Sequence, residues 1–324
     1  MIMDKKVFAL CALSLALMTS SAYAKTLRVG YNHPNDHPTG MAMLKFAELV
    51  QTYTNGEYTV RTYPNGQLGD ERRMLEQVQT RMLDITKTAT TLMTTYAPEY
   101  SVLTMPYTFN NADHFKTVMY GDIGQGLLMK AESRNLIGMT FLYDEPRSYY
   151  TVKKAVTTPD DLKGLKIRVM DSADAIEVAQ TMGATPTPLS WSEVYTALQQ
   201  GVVDGAEGGP SALTLSRHGD VAKHFSNSKH VLYPGMIVIN KSLWQGMSEN
   251  HKTAFKRAAS EAAEYQMKLF LKLEQDAMQG MKEMGVTVSE PDIAAFRQKS
   301  QAYVDKFTSE PNLKTLITQI RAAQ

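Results

Sequence analysis

The chain predicts an α/β fold, and three observations carry that expectation. Short strand-like apolar runs alternate with amphipathic helical segments along most of its length. Of 324 residues, 43% are hydrophobic and 21% charged, which is enough apolar material for a large core shared by about two domains. No apolar run is long enough to span a bilayer, so no transmembrane helix is expected. The 34 basic and 33 acidic residues leave a formal charge of +1. That balance argues against nucleic-acid binding, which calls for a basic excess. One cysteine, Cys11, excludes an internal disulfide framework and a cysteine-ligated metal site.

Residues 1–24 read as an export signal to be removed. Lys5 and Lys6 form a positive start, Val7–Met18 a short apolar stretch, and Ala22-Tyr23-Ala24 a small-x-small cleavage pattern. Leu10 before Cys11 argues against lipid attachment at that cysteine. Cleavage leaves a cysteine-free chain with balanced charge, expected in the periplasm.

In chain order, Thr26–Tyr31 reads as a strand and Gly40–Thr54 as a helix burying Met43, Leu44, Ala47 and Val50. Tyr58–Tyr63 reads as a strand, then Asp70–Arg81 as a helix carrying Met74, Leu75 and Val78. Further strands are expected at 83–86, 139–143, 148–153, 165–170, 229–233 and 236–240. Thr158-Pro159-Asp160-Asp161 places a cap before a first-turn proline, and Gly164 closes that short turn. Ser190-Trp191-Ser192-Glu193 fits a capping box. After Ser248 the sequence reads as helix to about Gly285, long enough either to bend or to cross between domains. No repeat or flexible tether separates the two halves.

His33 and His37 stand four apart, but Pro34 and Pro38 break a helix there and no third ligand is evident. A metal site is therefore not expected, and the segment reads as a binding loop with polar groups aimed into a cleft. No nucleophile elbow, phosphate loop or dinucleotide fingerprint is present, and Gly121–Gly126 reads as a turn. Arg168 lies on the strand 165–170, on the face opposite Leu165, Ile167 and Val169. An arginine near a strand end in an α/β sheet points toward the usual ligand crevice, and its planar fork suits a carboxylate. Solvent exposure on an edge strand is the alternative. Arg147 poses the same question. The tract Gly201–Pro210 is dense in glycine, which suggests ligand contact, a moving joint, or both.

Several motifs together resemble substrate-binding proteins of TRAP (tripartite ATP-independent periplasmic) transporters, the DctP-like family. They are Tyr63-Pro64-Asn65-Gly66-Gln67-Leu68-Gly69, Asp161–Val169, Gly183–Leu189 followed by Ser192–Gln199, and Val203-Asp204-Gly205-Ala206-Glu207. The resemblance implies a two-domain clamshell, each domain a sheet flanked by helices, with the long C-terminal helix crossing between them. The division it suggests is 25–146 with 235–275, and 147–234 with 276–324. It implies an organic-acid carrier without enzymatic activity or cofactor, delivering its ligand to membrane permease subunits. Arg168 would bind the ligand carboxylate, assisted by Arg147. Asn32, His33, Glu71, Asp171, Trp191, Glu207, Gly208 and Tyr233 complete the expected binding set. Gly208 follows Glu207 where many members have asparagine. Ala89 stands where sialic acid binders carry a glutamate, which disfavours that ligand. The wealth of hydrogen-bonding groups points to a sugar acid, a hexuronate or aldonate. A C4-dicarboxylate or keto acid on the same scaffold, and an exported hydrolase built on the two histidines, are the alternatives.

Overall fold

Apolar strands paired into two sheets organise the protein. The structure, a computed structural model, describes residues 24–323, so the expected export signal lies outside the described residues except for Ala24. The first stretch contains β1 (Lys25–Gly30), α1 (Pro38–Tyr53), β2 (Tyr58–Tyr63), α2 (Glu71–Gln79), β3 (Ile85–Ala89) and the short α3 (Thr90–Met93). Then come α4 (Ala112–Tyr120), α5 (Asp122–Met129), β4 (Leu136–Leu142), β5 (Arg147–Thr151), β6 (Lys166–Val169), α6 (Ala173–Met182) and β7 (Thr185–Pro188). The remainder is α7 (Val194–Gln199), β8 (Gly205–Gly208), α8 (Pro210–Thr214), β9 (His224–Val231), β10 (Gly235–Asn240) and α9 (Lys241–Gln245). After these follow α10 (Glu249–Glu283), β11 (Thr287–Ser289), α11 (Ile293–Thr308) and α12 (Pro311–Ala322).

One sheet has the order β2-β1-β3-β10-β4 and the other β11-β9-β5-β8-β6-β7. In the first, β1 runs parallel to β2 and β3, while β10 is antiparallel to both its neighbours. Every residue of β10 is buried, as befits a central strand covered on both faces. In the second, β6 runs parallel to β7 and β8, and β5 is antiparallel to β8 and β9. The chain passes between sheets after Leu142, returns after Val231, and crosses again in α10.

Ser248 caps α10 by accepting the His251 amide hydrogen. A stripe of Ala254, Ala258, Ala259, Ala262 and Ala263 with Phe255 is buried on its inner face. These small side chains let the helix lie close against α1 and β4, after which it reaches α8 and β11. It therefore spans both sheets. α11 packs on α6, but α12 returns to α5 of the first sheet's layer, where Leu313, Ile317 and Ile320 join Tyr100, Phe115 and Leu127.

The expected capping box is present at Ser190/Glu193, and the cap expected at Thr158 forms a second box with Asp161. Three expectations need correction. Leu44 is exposed, because Ala42, Met43, Phe46, Leu49 and Val50 form the buried face of α1 and helical spacing turns Leu44 away. Residues 121–126 are not a simple turn, since α5 begins at Asp122. Gly124 is required there because a Cβ would lie 2.0 Å from the Met119 carbonyl oxygen; glycine serves a tight junction between helices. The strand expected at 229–233 occupies 224–231 instead, leaving Tyr233 in the segment that returns to the first sheet.

Candidate ligand-binding cleft

A cavity of about 740 Å³ lies between the sheets where their strand ends converge, the usual ligand position in open α/β sheets. From the first sheet, β1 delivers Asn32 and His33, the start of α2 delivers Glu71, and β3 delivers Lys87. From the second, β5 opens with Arg147 and β6 carries Arg168 toward Asp171. The 190–193 turn adds Trp191, β8 ends at Gly208, and the return segment adds Tyr233. All these residues line the cavity.

Arg168 sits on an internal strand, flanked by β7 and β8, so the solvent-exposed edge alternative does not hold. It is only 3% exposed. Its Nε and Nη2 donate to the Leu189 carbonyl at 3.0 and 2.7 Å, and its Cζ stands 5.6 Å from the Trp191 ring centroid. Its buried Nη1 has no hydrogen-bond partner, and no carboxylate among the described residues pairs with it. Burial, then repulsion from Arg147, presses its pKa down to about 10, which leaves it charged at neutral pH.

Arg147 is bound differently. Its Nε lies 3.1 Å from Glu207 Oε1, its Nη2 donates to the Glu207 carbonyl at 2.7 Å, and its Cζ is 5.5 Å from the Tyr233 ring. Glu207 also meets His230 Nε2 at 3.3 Å. Burial alone would raise the Glu207 pKa, but Arg147, the His230 hydrogen bond and Arg168 hold it at about 2. Glu207 does not line the cavity, contrary to expectation. It lies beneath Arg147 and is occupied in holding that side chain.

Asp171 reaches the cleft mouth but is engaged across it, with Arg72 Nε 2.8 Å from its carboxylate. Beside it, Ser172 Oγ donates to the Thr91 carbonyl at 3.1 Å. His33 and His37 stack with ring centroids 4.0 Å apart. Burial and then the nearby Lys87 push His37 down to about 3, and burial followed by His37, Lys87 and Arg147 lowers His33 well below the usual value. Both are neutral. His37 Nδ1 accepts the Thr39 amide hydrogen at 3.2 Å, so this ring caps α1. Among the described residues no cluster of three or more groups could hold a metal.

The glycine tract divides in two. Gly208 and Gly209 reach the cavity, and a Cβ on Gly209 would lie 2.5 Å from that of Glu145; the other two lie away from it. Asn32 Oδ1, His33 Nδ1 and Tyr233 OH are buried without partners. Lys87 escaped the sequence reading altogether. It is 3% exposed, and its Nζ lies 3.0 Å from Glu71 Oε1. Burial opposes its charge, but Glu71 and Asp144 outweigh that and raise its pKa. The available signal was a lysine in the middle of an otherwise unbroken strand.

The sequence has clear relatives. Residues 29–310 match bacterial extracellular solute-binding protein, family 7 (DctP). A solute-binding protein of Chromohalobacter salexigens is 34% identical over 315 residues, covering 96% of this chain and 93% of the relative. A TRAP periplasmic solute-binding protein from the same organism, solved with bound D-glucuronate, superimposes with TM-score 0.88 at 33% identity, covering 92% of this chain and 100% of that one. Another, from Polaromonas sp. and bound to D-erythronate, gives TM-score 0.89 at 31% identity, covering 93% and 99%. Two sheets meeting at an arginine-lined cleft, with agreement of this length in sequence and fold, make the chain a member of the DctP family of TRAP-transporter solute-binding proteins.

Proposed function

We propose that the chain is a periplasmic carrier for a hydroxylated monocarboxylate, a hexuronate or aldonate, which it hands to a TRAP membrane permease without altering it chemically. The observation that carries this reading is Arg168, a buried guanidinium with a free Nη1 and no carboxylate partner. A buried charge is costly unless paired and hydrogen-bonded, and a ligand carboxylate meets both needs. Trp191 offers a flat apolar wall, and Asn32, His33 and Tyr233 offer polar atoms suited to hydroxyl groups. The D-glucuronate and D-erythronate held by two relatives belong to the same chemical class.

A C4-dicarboxylate is less well served, since Arg147, Lys87 and Arg72 are each paired with a carboxylate of the protein. In this reading one lobe combines 25–146 with 235–275, the other takes 147–234 with the chain from 276, and α12 docks back on the first. Residues 1–24 direct export. Calorimetric titration with D-glucuronate, D-galacturonate and D-gluconate is expected to detect binding of at least one. Arg168→Ala is expected to weaken it by ~30-fold or more, from the roughly 2–5 kcal/mol lost when one partner of a buried charge pair is removed. Near-native affinity in that variant would overturn the proposal.

A further inference from the structure

Arg168 accounts for one anionic group on the ligand, but the opposite wall holds a second charged device that the carboxylate does not use. Lys87 Nζ and Glu71 Oε1 are 3.0 Å apart, with side chains 3% and 9% exposed. Both line the cavity, as does Asp144, whose charge acts on Lys87 and Arg147. Glu71 opens α2 behind the Asp70 cap, and Lys87 projects from the fully buried β3. Each is therefore fixed by regular structure.

We infer that the Lys87–Glu71 pair forms a subsite for a neutral, hydroxyl-bearing end of the ligand and excludes a second carboxylate. The inference rests on the sugar-acid reading of the same cleft. An ammonium has three donors and a carboxylate has four acceptor sites, so one hydrogen bond between them leaves both able to bind more. A hydroxyl group both donates and accepts, and matches such a pair. A carboxylate only accepts, and here it would join Glu71 and Asp144 around one ammonium. Burying that extra anion is unfavourable, and a built-in repulsion of this kind separates similar ligands more sharply than attraction alone. Arg168 thus sets whether an acid binds, while Lys87 and Glu71 set what its other end must be.

Matched acids test this directly. D-Gluconate and D-glucarate share a carbon skeleton and differ in the oxidation of one end, as do D-galactonate and galactarate. Calorimetry on the wild-type protein is expected to favour a monoacid over its diacid by about 100-fold in at least one series. Glu71→Gln unmasks the ammonium and is expected to cut that ratio to below about 10-fold. The double variant Lys87→Gln/Glu71→Gln removes both charges; it is expected to weaken monoacid binding and to narrow the monoacid-to-diacid ratio to below about 10-fold, and it stands in if the single variant does not fold. Equal wild-type affinity for both members of every pair, or an unchanged ratio in Glu71→Gln, would overturn the inference while leaving the sugar-acid reading intact. Failure of every monoacid and uronate to bind would overturn the sugar-acid reading itself.

Discussion

Arg147 and Arg168 carry the same group into the same cleft, yet Glu207 gives them different roles. Held by Glu207, Arg147 is a fixed wall of the site, whereas Arg168 keeps a donor available. Glu207→Ala would leave Arg147 buried without its counter-ion, so chemical denaturation is expected to show a loss of ~3–5 kcal/mol in unfolding free energy. A loss under about 1 kcal/mol would contradict that account. Residues of this kind mark the limit of what a sequence discloses. Glu207 was visible beside its glycines, but which way its side chain turns depends on β5 and β9. Lys87 was hidden because the strand read from the sequence stops at Thr86 whereas β3 runs on to Ala89, and its partner Glu71 belongs to another element.

Two elements meet across the cleft mouth, where Arg72 of α2 holds Asp171 just before α6. Both side chains are substantially exposed, at 40% and 61%, and an exposed pair contributes about 0–1 kcal/mol. Arg72→Ala is therefore expected to weaken ligand affinity by no more than ~5-fold, with an almost unchanged melting temperature; a larger loss in titration would give Arg72 a direct role with the ligand. Element by element, legibility followed local pattern. The long α10, the Ser190/Glu193 capping box, the Thr158 cap and most strands of the first sheet announce themselves through period, cap or apolar run. The strand β8 does not, because Gly-Ala-Glu-Gly has little intrinsic strand character and acquires it from pairing with β5 and β6. Helices α4 and α5 were obscured by Gly121 and Gly124, whose role is packing between them.

Across the whole molecule, buried titratable groups set the response to pH. His37 is held near 3 and His218, by burial and then Arg168, near 4, whereas both take up protons near 6.5 once unfolded. The unfolded chain then binds more protons, so their contribution is full above about pH 6.5 and is lost as pH falls toward 3–4. Glu207 adds a further loss between about 4.5 and 2. Glu145 acts in the opposite sense: burial raises its carboxyl to about 8, so its contribution is present at low pH and fades as pH climbs from about 4.5 to 8. Thermal melts over a pH series are expected to peak near pH 6.5 and to lose the alkaline decline in Glu145→Gln. A flat profile from pH 4 to 8 would refute this assignment. The connections at 143–146, from β4 to β5, and at 232–234, from β9 to β10, are short and lie side by side, because β4 neighbours β10 in one sheet and β5 neighbours β9 in the other. In the proposed two-lobe carrier, a small torsional adjustment there would work like a fulcrum under a long beam, turning a few degrees into a wide swing at the rims. For the carrier proposed above, an empty and a loaded form would then present different outer contours, and a membrane partner could sort one from the other without ever touching the cargo.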